Sequence, residues 1–223
     1  MCGMSFEMCH YSIMPLGVGN KWLNRDVREI HPTKARLTEV AASLIDEHGS
    51  QGFTVEQLLD TSQISKGSLY HHFEDFHDVI MQAQVLRFAR YVDEDIEILT
   101  RVLLSSESRD DMLTRLDAVS RATHDPARTS RRGDRVEILA GARHSQRMKE
   151  ALGPTQAHLT SAIADLVREM QARHFVTQDL DPNALAVFIQ AYSLGLIVND
   201  VSSEPIELEN WHAMISRMTR GLL

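Results

Sequence analysis

Apolar residues recur along this chain at helical rather than strand spacing. Leu37, Val40, Ala41, Leu44 and Ile45 follow one another at gaps of 3, 1, 3 and 1, a single stripe of an amphipathic helix. They predict a helix over 33–48, with Thr33 as N-cap and Gly49 as terminator. Val55, Leu58 and Leu59 share a second face behind Thr54, and Glu56 or Gln57 stands near the capping-box spacing. The pattern breaks at Thr61-Ser62-Gln63 and resumes after Ser65, a second capping residue, with Leu69 and Phe73 four apart. Between those two, helical geometry turns Lys66, Gly67, Ser68, Tyr70, His71 and His72 outward.

Met81, Val85, Phe88, Val92, Ile96, Leu99 and Leu103 recur at gaps of 4, 3, 4, 4, 3 and 4. They predict one long helix from 75 to about 104, packed against several others. After a polar break at 105–110, a helix over 111–123 turns Met112, Leu113, Leu116 and Val119 inward. A basic stretch over 124–133, with Arg128, Arg131 and Arg132, reads as an exposed loop, since solvated charge is its commonest meaning. A short helix over 134–144 turns Val136, Leu139 and Ala140 inward. Gly153-Pro154 breaks the chain, and a helix over 155–174 follows with Leu159, Ile163, Leu166, Val167 and Met170 inward. Asp181-Pro182 opens the next helix, to about 201. It is apolar nearly all round (Leu185, Phe188, Ile189, Tyr192, Leu196, Ile197) and should be buried on more than one side. The last helix, over 207–222, carries Leu208, Trp211, Ile215, Met218 and Leu222 on a heptad-like seam. Strand-like alternation is missing and there are only six prolines. The predicted fold class is all-α: a three-helix head joined to a helical body.

Composition narrows the function classes. A hydrophobic content of 43% in 223 residues is ordinary for a globular chain with a sizeable core. No uninterrupted apolar run approaches the roughly 20 residues that span a bilayer, so no membrane partner is expected. Glu7 and the lack of an early basic cluster argue against a secretory signal. Residues 1–20 lack periodicity and read as disorder, or as a translated leader if a later Met is the true start. Cys2, Cys9 and His10 in that stretch lack a fourth ligand for zinc, and two cysteines suit a reducing cytoplasm. There is no Gly-x-Ser-x-Gly elbow, no His-Glu-x-x-His and no phosphate-cradling glycine loop. Adjacent His71 and His72 do not share a helix face. No enzyme, cofactor or metal site is expected.

The stretch that carries functional information is 53–73. Two short helices around a tight turn, the second with a small, donor-rich, aromatic outer face, suit a major groove and its phosphates. Ile64-Ser65-Lys66-Gly67-Ser68-Leu69-Tyr70-His71-His72-Phe73, preceded at the right distance by Gly49-x-x-x-Phe53-Thr54, resembles the recognition helix of the tetracycline-repressor (TetR) family. The resemblance covers about a fifth of the chain. It implies a flexible arm over 1–32, a helix-turn-helix DNA-binding domain over 33–76 and a ligand-binding and dimerisation domain over 77–223.

It further implies a homodimer that binds a palindromic DNA operator and is released by a small apolar or amphipathic effector. Thr54, Ser65, Lys66, Gly67, Ser68, Tyr70, His71 and His72 would meet DNA. Phe88, Val92, Met112, Leu116, Leu139, Phe188 and Tyr192 would line the effector cavity, with Arg143, His144, Gln190 and Asn199 as candidate polar contacts. Leu185, Ile189, Leu196, Leu208, Trp211, Ile215 and Met218 would form the dimer interface.

Charge runs against part of this picture. The net charge is −8, and residues 33–78 hold three basic and eight acidic side chains, whereas DNA affinity leans on phosphate neutralisation. Lys21, Arg25 and Arg28 in the arm, and His31, His48, His71, His72 and His77, are the sequence's candidates for the missing charge. Where the family commonly has small residues and a glycine at the turn, this chain has Leu59, Ser62 and Gln63. Where the family usually places a phosphate-gripping lysine after the recognition helix, it has Glu74-Asp75. An alternative stays open: a dimer of the same fold that has lost operator binding and acts through protein or small-molecule partners.

Overall fold

The computed structural model describes residues 31–125 and 128–222 and contains no strand among them. The arm cations Lys21, Arg25 and Arg28 and the Cys2, Cys9 and His10 trio lie outside that range.

Three short helices make the head: α1 (Pro32–His48), α2 (Val55–Ser62) and α3 (Lys66–His72). The first begins one residue earlier than Thr33 would set it. Pro32 occupies the first turn, and the His31 ring Nδ1 accepts the Thr33 N–H at 3.3 Å. Proline fits there because its missing N–H has no helical partner at that position. Gly49 ends α1 at φ +80°, a conformation that favours glycine. At Gly52 an added Cβ would lie 1.8 Å from the His48 carbonyl oxygen, so the α1–α2 turn also needs glycine there. Leu37, Leu44, Ile45, Phe53, Leu58, Leu69 and Phe73 bury together as the head core.

Helix α4 (Phe76–Leu104), capped by Asp75, belongs to both halves. Its Val79 and Ala83 complete the head core, while Phe88, Val92 and Leu103 sink into a second core. That second core is built from α5 (Arg109–Thr123), α6 (Thr129–Gly141), α7 (Gln146–Ala172) and α8 (Pro182–Gly195). A single turn, α9 (Ile197–Asp200), and α10 (Leu208–Leu222) finish the chain.

Four expectations need correction. Gly153-Pro154 does not break the chain, because α7 runs straight through Pro154. The lost hydrogen bond and ring clash cost about 3 kcal/mol. Leu152, Leu159 and Ile163 are all buried on the two sides of it, each worth about 1.5–3 kcal/mol, so packing wins. The supposed basic loop is largely helical, and α6 takes in residues from 129 onward. Arg132 is buried against Asp200, with both nitrogen–oxygen distances at 2.7 Å. The buried apolar residue of α6 is Ile138, while Ala140 is exposed. Finally, Ala186 is the one buried residue of α8.

The stretch Pro182–Asp200 is nineteen residues long with a mean hydropathy of 1.2, enough by length and composition to cross a bilayer, and 11% of it is buried. The expectation that no apolar run approached that length missed it, because polar Asn183, Gln190 and Ser193 interrupt the run in sequence.

Candidate nucleic-acid interface and ligand cavity

The recognition helix is oriented from within. Leu69 and Phe73 are buried and draw one side of α3 into the head core, worth about 3–6 kcal/mol together. The opposite side, with Lys66, Gly67, Tyr70 and His71, is left exposed. Ser68 and His72 are half-buried at its edges.

Both caps form. Thr54 Oγ1 accepts from the Gln57 N–H while the Gln57 side chain accepts from the Thr54 N–H, a complete capping box. Ser65 Oγ accepts from the Ser68 N–H. Each hydroxyl spends a lone pair on its cap and keeps its proton to donate. Gln63 holds the turn at φ 58°, ψ 34°. That left-handed conformation is the physical reason a glycine suits this site. Leu59 is half-buried at the rim of the head core.

The acidity of the head is smaller in space than in sequence. Arg90 pairs with Glu39, Arg87 with Asp46 at 2.7 Å, and Arg147 with both Glu74 at 2.8 Å and Asp78 at 2.9 Å. All three arginines come from outside 33–78, and counting them with Asp134, which shares Arg87, takes the head from −5 to −3. Histidine is a poorer source of charge than the sequence suggested. The His72 ring lies 4.6 Å from His31, and burial, then the charges of His31, His71 and Lys34, lower its pKa.

Arg147, from the first turn of α7, therefore brings a cation against Glu74 and Asp78. Replacing it should unmask Glu74 beside the recognition helix. Arg147→Ala is expected to weaken DNA binding about 5-fold, the worth of roughly 1 kcal/mol. Adding Glu74→Gln should restore most of that loss. Fluorescence anisotropy on the single and double variants checks this, and an unchanged affinity in Arg147→Ala would refute the masking.

A cavity of about 210 Å³ opens in the body between α4, α5, α6, α7, α8 and α10. Of the residues expected there, Met112, Leu116, Phe188 and Tyr192 line it, with Gln190 as a polar contact. Phe88 and Val92 do not line it, being fully buried in the body core. Leu139 lines a separate recess with Val187 and Ala191. Arg143 and His144 lie off the cavity wall, and the Asn199 side chain instead accepts the Ile206 N–H.

Leu185, Ile189, Ile215 and Met218, expected at a dimer interface, also line the cavity. Leu196 is 2% exposed and turned inward. Leu208 and Trp211 are half-buried. The large apolar residues of this part of the chain that face outward are Val187, Phe188, Val198, Val201, Ile206, Met214 and Met218, so Met218 and Phe188 both line the cavity and reach the surface. Sequence reasoning missed the other five because a helix apolar all round does not say which side its own chain covers.

Beside the cavity, His124 is buried with neither ring nitrogen hydrogen-bonded. Its ring lies against Tyr192 of α8 and Trp211 and His212 of α10. Burial first, then the charges of His212 and Arg132, push its pKa down to about 4, with Asp200 opposing. The folded chain thus refuses a proton that the unfolded chain accepts below about 6.5. Stability from this group is complete above pH 6.5 and is lost as pH falls towards 4. Between pH 7.5 and 5 the loss should reach about 2 kcal/mol. His124→Phe should show a shallower drop in urea midpoint over that interval, and parallel profiles would refute the assignment.

The match of the head to a family model decides the classification. Residues 37–75 match the model described as bacterial regulatory proteins, tetR family. Over that span the head of the chain matches the TetR family. The matched span runs from the first buried leucine of α1 to the cap of α4 and includes the whole recognition helix. The chain is 28% identical over 119 residues to the HTH-type transcriptional repressor AcnR of Corynebacterium diphtheriae. That alignment covers 51% of the chain and 63% of AcnR. It is 24% identical over 200 residues to the HTH-type transcriptional regulator UidR of Escherichia coli K12, covering 87% and 95%. Its fold resembles the solved structure of Salmonella enterica GusR, with a TM-score of 0.55 at 23% identity over 88% of this chain and 98% of that one. The chain spans less than two thirds of the AcnR repressor it matches, and the relatives are themselves described as HTH-type transcriptional regulators.

Proposed function

We propose that the protein is a ligand-responsive repressor that binds a palindromic operator as a homodimer. The observation that carries this reading is the capped α3, anchored by Leu69 and Phe73, with Lys66, Gly67, Tyr70 and His71 exposed on one face. In this reading Thr54, Ser65, Lys66, Ser68 and Tyr70 grip phosphates. Gly67 permits close backbone approach, and His71, with Lys66 and Ser68, reads base edges. His72 serves from the half-buried edge. In this reading the DNA-binding head spans 33–76 and the ligand-binding and dimerisation body 77–223.

The dimer is supported by apolar surface left uncovered on the last third of the chain. Val198 and Val201 are 73% and 77% exposed, and Val187, Ile206 and Met214 join them. A second copy would bury that surface and set two recognition helices against successive major grooves about 34 Å apart. An effector in the cavity would act through its differential affinity for the DNA-competent and released states.

The test is a random-oligonucleotide selection with purified protein at about 50 and about 150 mM salt, since affinity depends on salt. Enrichment of an inverted repeat is the expected result. No enrichment at either salt would favour the alternative of a dimer that has lost its operator.

A further inference from the structure

We infer that the cavity takes an amphipathic anion: a small aromatic or short-chain body carrying a carboxylate, its head group held by the arginines of α6. This rests on reading the cavity as the effector site and adds the ligand's chemical class.

The carrying observation is a helix face written in arginine. Arg128, Arg131, Arg132 and Arg135, spaced three, one and three apart, stand along the cavity wall at α6 and its N-cap. The rest of that wall is mainly apolar, with Met112, Leu116, Leu159 and Ile163 among its members. Guanidinium groups beside such a surface are costly unless compensated.

The compensation is incomplete in a specific way. Arg132 is fully occupied by the two oxygens of Asp200. Arg131 pairs with Glu94 and reaches Asp95 at 3.4 Å. Arg135 takes the other Asp95 oxygen at 2.6 Å through Nη1, and its buried Nε has no hydrogen-bond partner. Arg128, at the N-cap, is exposed. Arg131 and Arg135 share Glu94 and Asp95, and a buried Arg135 donor is left over.

Arg220 of α10 adds a further cation to the wall. Asp117, the other carboxylate there, is engaged by Arg121 at 2.9 Å, which also pairs with Glu209 at 2.8 Å, so it offsets the arginine charge only in part. A neutral acceptor could take only an uncharged hydrogen bond from the Arg135 Nε, weaker than a charge-assisted one, and a cation would meet the arginine charge directly. A carboxylate supplies the missing acceptor, in the planar geometry a guanidinium matches best.

The volume limits the body. A cavity of about 150 Å³ holds benzene, so this one suits a group only somewhat larger. Three probes share one body and differ in charge: 4-phenylbutyrate, 4-phenyl-1-butanol and 4-phenylbutylamine. Their affinities for the full chain are measured by titration calorimetry, alongside Arg128→Gln and Arg135→Gln. Arg128 is exposed, so its variant keeps the test valid if Arg135→Gln fails to fold.

The expected result is carboxylate binding at least about 10-fold tighter than the alcohol or amine, with that preference reduced in Arg128→Gln and lost in Arg135→Gln. Alcohol or amine binding as tight as the carboxylate would overturn the anion inference and leave a ligand cavity standing. Binding of none at millimolar concentration would overturn both. Selective carboxylate binding that leaves operator affinity unchanged would uphold the anion site and reject its effector role.

Discussion

Gly67→Trp should abolish operator binding while leaving the fold intact. Gly67 lies in the first turn of α3, and a Cβ built there meets nothing within 4 Å. Its backbone is helical, so the substitution introduces no strain, and replacing a helical glycine changes stability by no more than about 1 kcal/mol, in the favourable direction. The neighbours on that face, Lys66, Tyr70 and His71, are the exposed side of the recognition helix. An indole there would hold the helix away from the groove floor and separate every phosphate and base contact together. A loss of at least about 100-fold is expected, near 3 kcal/mol. Anisotropy on the selected operator and thermal unfolding of the same preparation would read the two effects separately. Retained affinity with an unchanged melting temperature would mean that α3 does not enter the groove and would remove the proposed contact set.

The second large effect lies at the junction of head and body. Arg87, on α4, is 3% exposed. Its Nε donates to Asp46 of α1 at 2.7 Å and its Nη2 to Asp134 of α6 at 2.7 Å, with Gln84 and the Tyr91 hydroxyl completing the shell. Burial is the largest single effect on Arg87 and works against its charge. The Asp46 hydrogen bond, together with the charges around it, outweighs that burial and raises the pKa.

Arg87→Met would keep the buried stem and delete the charge, leaving Asp46 and Asp134 facing each other's surroundings without a counterion. Breaking a buried pair from one side costs about 3–5 kcal/mol. Asp46 is about half exposed and can rehydrate, so about 3 kcal/mol is expected in urea denaturation at matched protein concentration. Arg87→Met with Asp134→Asn should recover part of it. A single-variant loss below about 1 kcal/mol would show that this arginine does not hold α1 to α6.

The position of Arg87 explains why so much of the head was legible in the sequence and so little of its electrostatics. The head is local. Thr54 and Gln57 close a capping box three residues apart, Ser65 caps a helix whose Leu69 and Phe73 are four apart, and Gly49 and Gly52 answer steric demands of their own turn. Each relation lies within one helical turn, so spacing alone reveals it, and the family resemblance rests on the same residues. Helix α4 was legible for the same reason, its stripe continuing over about six turns.

What failed was non-local. Pro154 looked like a break because its local cost is visible in sequence and the burial that offsets it is not. The arginines at 128, 131, 132 and 135 looked like a solvated loop because charge runs usually are, and the counterions Asp95 and Asp200 of the last three stand 36 to 68 residues away. The acidic head looked hostile to DNA because Arg87, Arg90 and Arg147 fall outside any window drawn around it.

The sequence by itself determined the all-α class, the helix-turn-helix and its outward face, and the family to which these point, since helical periodicity and capping are short-range properties of the chain. Only the tertiary structure decided which charges cancel, which apolar faces remain uncovered and where a cavity opens. Coulomb energy and burial depend on distance through space, and helix packing brings together groups that the sequence keeps far apart.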